Sequence, residues 1–459
     1  MKKYITRYNP NYDPLVDEIP GHGMDYAPSY WVSTAGQEPE NDSPIEGDVD
    51  VDVAIIGAGF TGLATAMFLA EEYGIQATVL EANRPGWGCT GRNGGQGHLA
   101  WGRLSRSQWI KRWGEETAKK IHANTLEGFS VFQSLVEDDR IDCEPFGNGN
   151  ILVAHSASAM KKLARESRVL NDVFQYQSRI IGRDVLHDQY IGDEEAFGAL
   201  VEPIGIAVHP LKLAFSYMRI ARARGATVHP ASPVTDWKTV GEHHLLTTPK
   251  GMVKAHAVVI ATAGYTHHSL HPLLSYKNMP IMANCAVTRP LTDEEISACR
   301  FRTHLFFTDS RKLRYYYRFL PDHRLQIGTR SAITGADAQN PKHRLVVERA
   351  IANKFPVLKG VELEYFWSGW MDISHDMMPR IIQPDKRQRL YYAQGYSGNG
   401  VSFSAYAAKK LARLVAGKPI KEGDLPIFTT PLPSHVLRPF RRIGQRLMFY
   451  YFNRLDKLP

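Results

Sequence analysis

Residues 51–96 read VDVAIIGAGFTGLATAMFLAEEYGIQATVLEANRPGWGCTGRNGGQ. An apolar run at 51–56 predicts a buried parallel strand. Gly57-Ala58-Gly59-Phe60-Thr61-Gly62 follows at once, and residues 63–70 predict an apolar helix. A second strand at 77–80 ends in Glu81. This is a β-α-β unit carrying a dinucleotide fingerprint. Gly57 permits the tight turn, Gly59 admits a pyrophosphate close to the backbone, and Gly62 lets helix and strand touch. Phe60 and Thr61 open the helix, whose free N–H groups and positive dipole end face the phosphate charge. Glu81 lies 19 residues past Gly62, where an acid can accept from ribose hydroxyls. The alternative is a glycine-rich turn in another kind of α/β protein, which would not need strand, helix and acid in register.

The fingerprint alone does not separate FAD from NAD. The segment Trp87-Gly88-Cys89-Thr90-Gly91-Arg92-Asn93-Gly94-Gly95-Gln96 is too glycine-rich for helix or strand. Such a loop can hug a flat ring. With it the chain resembles the D-amino-acid-oxidase-like superfamily of FAD amine oxidoreductases, and within it the γ-glutamylputrescine oxidoreductase branch, which carries a GWGASGRNGGQ-type loop over the flavin. Cys89 stands where that pattern has Ala. The resemblance implies FAD held by Gly57, Gly59, Phe60, Thr61, Gly62, Glu81, Ala82, Trp87, Gly88, Thr90, Arg92, Asn93, Gly94, Gly95, Gln96 and Val234. An apolar strand at 257–263 ending in Ala263-Gly264 would pass the adenosine half; the alternative is a plain core strand.

A second glycine turn lies near the far end. Residues 390–393 predict a strand, Gln394-Gly395-Tyr396-Ser397-Gly398-Asn399-Gly400 a turn, and 401–415 a helix. This again focuses free N–H groups and a helix dipole on one point. The resemblance puts the flavin N1–C2=O edge there and adds Gly395, Tyr396, Gly398, Asn399, Gly400 and Val401 to the cofactor set. Upstream, Trp367-Ser368-Gly369-Trp370-Met371 stands where α-amino-acid oxidisers of the superfamily show Gly-Leu-Arg. An apolar wall replaces the carboxylate fork, which argues for an amine whose carboxylate, if any, lies elsewhere. No cysteine follows Cys299, where the sarcosine-oxidase branch tethers its flavin, so non-covalent FAD is expected. A thioether at Cys89 would be without parallel in that pattern.

The fold class expected is α/β: an α+β two-domain flavoprotein, with a Rossmann-like FAD-binding domain and an antiparallel-sheet substrate domain. The expected division is 1–47 irregular; 48–140, 205–275 and 370–418 cofactor domain; 141–204 and 276–369 substrate domain; 419–459 basic tail. Helices are expected at 116–135, 157–175, 211–224 and 342–355, and a hairpin at 143–155 turning on Gly-Asn-Gly. A small meander is expected over 235–254, and strands at 279–288, 305–309, 313–319, 325–329 and 361–367. The aromatic island at 26–31 either docks on the body or helps close the flavin cleft.

The chain has 459 residues, 43% hydrophobic and 22% charged, an ordinary globular composition. No apolar run is long enough to span a bilayer, and the N-terminus has no secretory h-region. Cys89, Cys143, Cys285 and Cys299 are scattered without zinc spacing, so free thiols in the cytoplasm and no metal are expected. Residues 430–459 carry a local +5 of the net +8. No nucleic-acid motif accompanies that charge. The tail is either a membrane-surface helix or, as preferred here, a helix packing Phe440, Leu447, Met448 and Tyr451 on the body with arginines outside.

Hydride transfer from a neutral amine to flavin needs position and dryness rather than a triad. Aromatic walls are therefore sought. Alternation along 315–318 puts Tyr315 and Tyr317 on one face and Arg318 on the other. The catalytic or pocket candidates are Tyr317, Trp370, Tyr396 and His98; for each the alternative is core packing or, for His98, an ordinary surface histidine. The expected activity is oxidative deamination of a γ-glutamyl-polyamine-like primary amine by oxygen, giving aldehyde, ammonia and hydrogen peroxide. The alternatives are a dehydrogenase feeding a membrane quinone and a non-catalytic flavin-binding assembly factor.

Overall fold

A computed structural model describes residues 7–435 and 437–456. The basic residues 1–6 and Lys457 of the tail lie outside the described residues. The fold is mixed α/β, built on two eight-stranded sheets. In the first, strand order is Arg380–Ile382, Leu390–Gln394, Gly251–Ile260, Val49–Ile56, Ala77–Leu80, Thr227–His229. The four internal pairings are parallel, and Arg380–Ile382 caps one edge antiparallel. Val49–Ile56 is half-exposed over its first four residues and buried over the last four. The buried half is the stretch covered on one face by the helices Phe60–Tyr73, Pro210–Ala223 and Gly400–Val415, which share one apolar core. A hairpin of Asp236–Val240 and His243–Thr248 extends the Gly251–Ile260 strand.

The second sheet runs Leu363–Ser374, Asn278–Thr288, Leu325–Thr329, Tyr316–Phe319, Phe306–Asp309, Asn150–Val153, Gly198–Glu202, Arg179–Gly182. It is antiparallel except where Phe306–Asp309 meets Asn150–Val153. The strand Leu363–Ser374 runs unbroken across residue 370, where a domain border was expected.

Three local expectations are corrected. The hairpin at 143–155 does not form. Gly147 and Gly149 have positive φ, and a Cβ on Gly147 would fall 2.2 Å from the His304 carbonyl oxygen. Phe146 makes a single bridge to Ala207, and Asn150–Val153 pairs with strands remote in sequence. The strand expected at 313–319 starts only at Tyr316. Before it the Asp309 carboxylate accepts from the Tyr315 and Arg311 amides, 2.9 and 3.3 Å, and holds a turn.

The tail helix, Arg441–Leu455, inverts the expected polarity. Phe440, Leu447, Met448 and Tyr451 are 63, 66, 46 and 58% exposed. The inward face carries Arg441, Arg442, Gln445 and Phe449. Arg441 donates to the Asn278 carbonyl at 2.6 Å, and Arg442 to the Pro280 carbonyl at 2.9 Å and to Asp13. The reason is the surface it lands on: carbonyls at the start of Asn278–Thr288 need donors, and arginine stems reach them. Among the described residues no helix is long and apolar enough to cross a membrane.

His209 caps the helix Pro210–Ala223. Its Nδ1 accepts the Lys212 amide at 3.2 Å, so Nε2 carries the proton and lies 3.0 Å from Thr34 Oγ1. Burial, aided by Lys212 and Arg318, pulls the imidazole down to about 3. A basic group depressed in the folded state leaves stability intact above about 6.5, its unfolded value. Below that, stability falls as the unfolded chain takes the proton first. His209→Gln is therefore expected to flatten the decline of folding free energy between about pH 6 and 4 by roughly 1.4 kcal/mol per pH unit. Denaturant titrations at stepped pH check this; parallel slopes for both proteins would refute it.

Candidate active site

The two glycine turns, more than three hundred residues apart in sequence, meet in space. Thr61 Oγ1 and Tyr396 Oη are 2.7 Å apart. Around that contact lies one cavity of about 1740 Å³ including its mouth, lined by residues of both turns, of the Trp87–Gln96 loop and of the second sheet. Gly57, at φ +104°, brings the first turn against a neighbouring strand end. A Cβ there would sit 2.8 Å from the Ala261 carbonyl oxygen. Gly62 faces inward, with its virtual Cβ 1.9 Å from the Gly57 oxygen. Glu81 sits beneath, accepting from the Ala58 amide at 2.8 Å and the Asn83 amide at 2.9 Å. Burial raises its pKa and those amides oppose the rise. Asp372 does the equivalent at the other turn, accepting from the Gly395 and Tyr396 amides.

The loop is pinned from behind. Trp31 Nε1 donates to the Asn93 carbonyl at 2.7 Å and Ser29 Oγ to that of Gly91 at 3.2 Å. The aromatic island therefore docks on the outer side of the loop. Arg92 donates to the Trp87 carbonyl at 2.9 Å and stacks 4.2 Å over its ring. Its Nη2 is buried without a hydrogen-bond partner. Cys89 lines the cavity, and burial pushes its thiol up to about 12.

Of the residues expected to hold the cofactor, twenty line the cavity: Gly57, Gly59, Phe60, Thr61, Glu81, Ala82, Trp87, Gly88, Thr90, Arg92, Asn93, Gly94, Gln96, Val234, Ala263, Tyr396, Gly398, Asn399, Gly400 and Val401. Gly62, Gly95, Gly264 and Gly395 do not. Each packs against protein instead, Gly95 with its virtual Cβ 2.2 Å from the Val208 oxygen and Gly264 2.7 Å from that of Trp370.

His98 lines the cavity, edge-on to Phe306 at 4.7 Å between centroids. Burial, with Arg314 nearby, lowers it to about 3, so it is neutral. Tyr317 and Trp370 are placed elsewhere. Tyr317 is fully buried behind the sheet, its hydroxyl donating 2.5 Å to Asp193 and its ring stacked on Phe307. Trp370 turns away, donating to the Tyr12 carbonyl at 2.9 Å under Arg442. The period-2 rule holds on both strands, but the other face looks into the cavity: Tyr316 on one, Gly369 and Met371 on the other. The signal was present. Tyr315, Tyr317 and Phe319 make an apolar face suited to a core, whereas Arg314, Tyr316 and Arg318 make a mixed face suited to a cavity. Tyr316 fills a slot made by two glycines: a Cβ on Gly328 would fall 2.2 Å from its Cζ, and one on Gly94 2.8 Å from its Cε2.

Sequence reasoning also missed Arg103, Arg314 and Arg330, which line the cavity from loops without a motif. Burial, then their mutual repulsion, lowers the pKa values of Arg103 and Arg330, the latter to about 10.

Residues 52–414 match the family model described as DAO, FAD dependent oxidoreductase. The chain is 29% identical over 437 residues to gamma-glutamylputrescine oxidoreductase of Escherichia coli (strain K12), covering 95% of this chain and 99% of that one. It is 26% identical over 380 residues to sarcosine oxidase subunit beta of Arthrobacter sp, covering 80% and 87%. The crystal structure of glycine oxidase from Geobacillus kaustophilus superposes with TM-score 0.70 at 20% identity, over 84% of this chain and 99% of that one.

Proposed function

The chain belongs to the DAO family of FAD-dependent oxidoreductases, and from that premise we propose that it oxidatively deaminates a primary amine of the γ-glutamyl-polyamine type. The products are an aldehyde, ammonia and, with oxygen as acceptor, hydrogen peroxide. The observation that carries the reading is the single cavity joining the two glycine turns at the Thr61–Tyr396 contact. The residues fit FAD without a covalent bond. Glu81 presents a carboxylate for ribose hydroxyls, the first turn and its helix suit a pyrophosphate, and the loop with the second turn frames a flat ring. Bound FAD supplies a two-electron acceptor for a hydride from the amine-bearing carbon.

The chain's own residues position and dry the amine. Tyr316 and Met371 wall the cavity, and neutral His98 adds no charge. Four cysteines without a disulfide among the described residues fit a reducing, cytoplasmic setting. The exposed apolar side of the tail helix favours one second reading, electron delivery to a quinone at a membrane surface.

The test is anaerobic bleaching of the flavin band by a panel of primary amines, followed by peroxide assay on readmitting air. Full bleaching within seconds by an acylated diamine, with one peroxide per turnover, is expected. Bleaching without peroxide, coupled to dye reduction, would favour the quinone reading. No bleaching by any amine would reject amine oxidation and leave a flavin-binding assembly role.

A further inference from the structure

The tail helix Arg441–Leu455 turns polar residues inward and apolar residues outward, and it is held that way along its length. At its start Arg441 and Arg442 donate to the carbonyls of Asn278 and Pro280. In its middle Phe449 packs in a cluster with Met279, Ile281, Leu313 and Ile373. At its end the Asp456 carboxylate accepts from the Lys312 and Leu313 amides, at 2.7 and 2.9 Å. The inward side is thus fully engaged, and the outward apolar side is not the core face of a helix that has come loose.

Seven of the sixteen large apolar or aromatic side chains exposed among the described residues fall within 437–451. That concentration sets them apart from the scattered apolar residues of any surface and marks a contact site. Ile443, Leu447 and Tyr450 recur at spacings of four and three, which puts them in one row along the helix. They are 55, 66 and 64% exposed. The 15-residue helix is roughly 22 Å long. It does not meet the length and apolarity a bilayer span requires, but its row suits lying flat on one.

The charge beside the row decides what covers it. Arg454 stands four residues after Tyr450 and stacks over its ring at 5.5 Å. Arg446 lies between Ile443 and Tyr450 on the same flank, and Arg438 precedes the helix; all three are exposed. The sequence holds no acid between Asp424 and Asp456, and Asp456 is already taken up by the two amides. A second copy of the chain docking about a two-fold axis would set this patch against itself. The arginines of both copies would then meet with no acid in the tail between them, a juxtaposition that costs binding. An anionic bilayer offers phosphates to the arginines and acyl chains to the apolar row at once. Arginine stems cover apolar surface while their heads stay at the headgroups, and tyrosine rings suit the same depth.

We propose that Arg441–Leu455 is a peripheral docking helix for an anionic membrane surface. Ile443, Leu447 and Tyr450 enter the headgroup–acyl boundary, and Arg438, Arg446 and Arg454 meet the lipid phosphates. Docking holds whether oxygen or a quinone takes the electrons, so it stands apart from the catalytic reading.

Vesicle flotation of the full-length, FAD-loaded enzyme tests this. Vesicles of phosphatidylcholine with about one-third phosphatidylglycerol are expected to bind it at least tenfold more tightly than pure phosphatidylcholine, since each arginine near a charged surface contributes about fivefold. That preference is expected to shrink as salt rises from about 0.1 to about 1 M and the Debye length falls from ~10 to ~3 Å. Leu447→Glu combined with Tyr450→Glu is expected to weaken binding more than tenfold, with flavin content and melting temperature unchanged because both side chains are exposed. Arg446→Gln combined with Arg454→Gln is expected to remove most of the preference for anionic vesicles. Equal binding to both compositions, or binding that neither double variant weakens, overturns the proposal. So does a protein that floats with neither vesicle; a dimer in sedimentation that Leu447→Glu dissociates would then show that a second copy covers the helix. None of these readouts uses amine turnover, so failure here leaves amine oxidation untouched, and failure of amine oxidation leaves the docking helix standing.

Discussion

Gly62→Ala protein is expected to emerge from purification nearly colourless. The added methyl would sit 1.9 Å from the Gly57 carbonyl oxygen and 3.3 Å from Ile55 Cγ2. The first is main chain inside the turn, so no side-chain rotation relieves it. The helix Phe60–Tyr73 must lift off Val49–Ile56, and the N–H groups at its start then leave their aim on the cofactor's phosphates. Overpacking of this kind costs about 1–3 kcal/mol, which as lost cofactor binding is roughly 5- to 150-fold. The ratio of flavin to protein absorbance reads it directly. Gly182→Ala is the control, since nothing lies within 4 Å of its virtual Cβ; that protein should stay yellow. A fully loaded Gly62→Ala protein would mean that the first turn does not hold the cofactor.

Lys354→Met is expected to destabilise the fold by about 3–5 kcal/mol. Lys354 is fully buried, with Nζ 3.0 Å from Asp193, 3.3 Å from Glu195 and 3.7 Å from Asp309. Burial alone would lower its pKa, but the three carboxylates outweigh burial and raise it. The raised value means that the lysine keeps its proton past its unfolded value, so its own contribution fades only in strong alkali. Among the described residues, replacing the ammonium by a thioether leaves Glu195 and Asp309 ion-paired with Arg311, and Asp193 with no ion-pair partner. Tyr317, whose hydroxyl already donates to Asp193, cannot neutralise them. Chemical denaturation gives the number, and Lys354→Met with Asp193→Asn should recover part of the loss. A loss below about 1 kcal/mol, the level of a surface pair, would show that the cluster is far wetter than its burial implies.

Both experiments probe features of different legibility. The first turn was readable because phosphate recognition forces glycine, helix start and acid into fixed spacing, so Gly57 to Glu81 announce themselves locally. The second turn was readable from its strand, glycine turn and helix, which aim free N–H groups at one point, and from the resemblance, which implied the flavin edge there. The individual strands followed from apolar runs and turn residues, and the antiparallel arrangement of the second sheet from the family resemblance. The substrate wall was not readable in that way. Tyr316 and Tyr317 are neighbours of one type, and only the residues flanking them, Tyr315 and Phe319 against Arg314 and Arg318, separate the core face from the cavity face. Arg103, Arg314 and Arg330 are common residues in unremarkable loops, and only the folded chain brings their charges together. The tail misled because its apolar residues suggest the buried side of a helix; the surface beneath is lined with carbonyls, so arginines took that side.

The pairing of Val49–Ile56 with Gly251–Ile260, and of that strand with Leu390–Gln394, has a consequence for synthesis. At about 5–20 residues per second, the ribosome needs roughly 20–70 s to travel from the first glycine turn to the second. Until residue 260 is made Val49–Ile56 lacks a neighbour on one side, from then until residue 394 the Gly251–Ile260 strand lacks one, and throughout the interval the prosthetic group has half a nest. A complete cofactor nest thus cannot form before the second glycine turn has been synthesised.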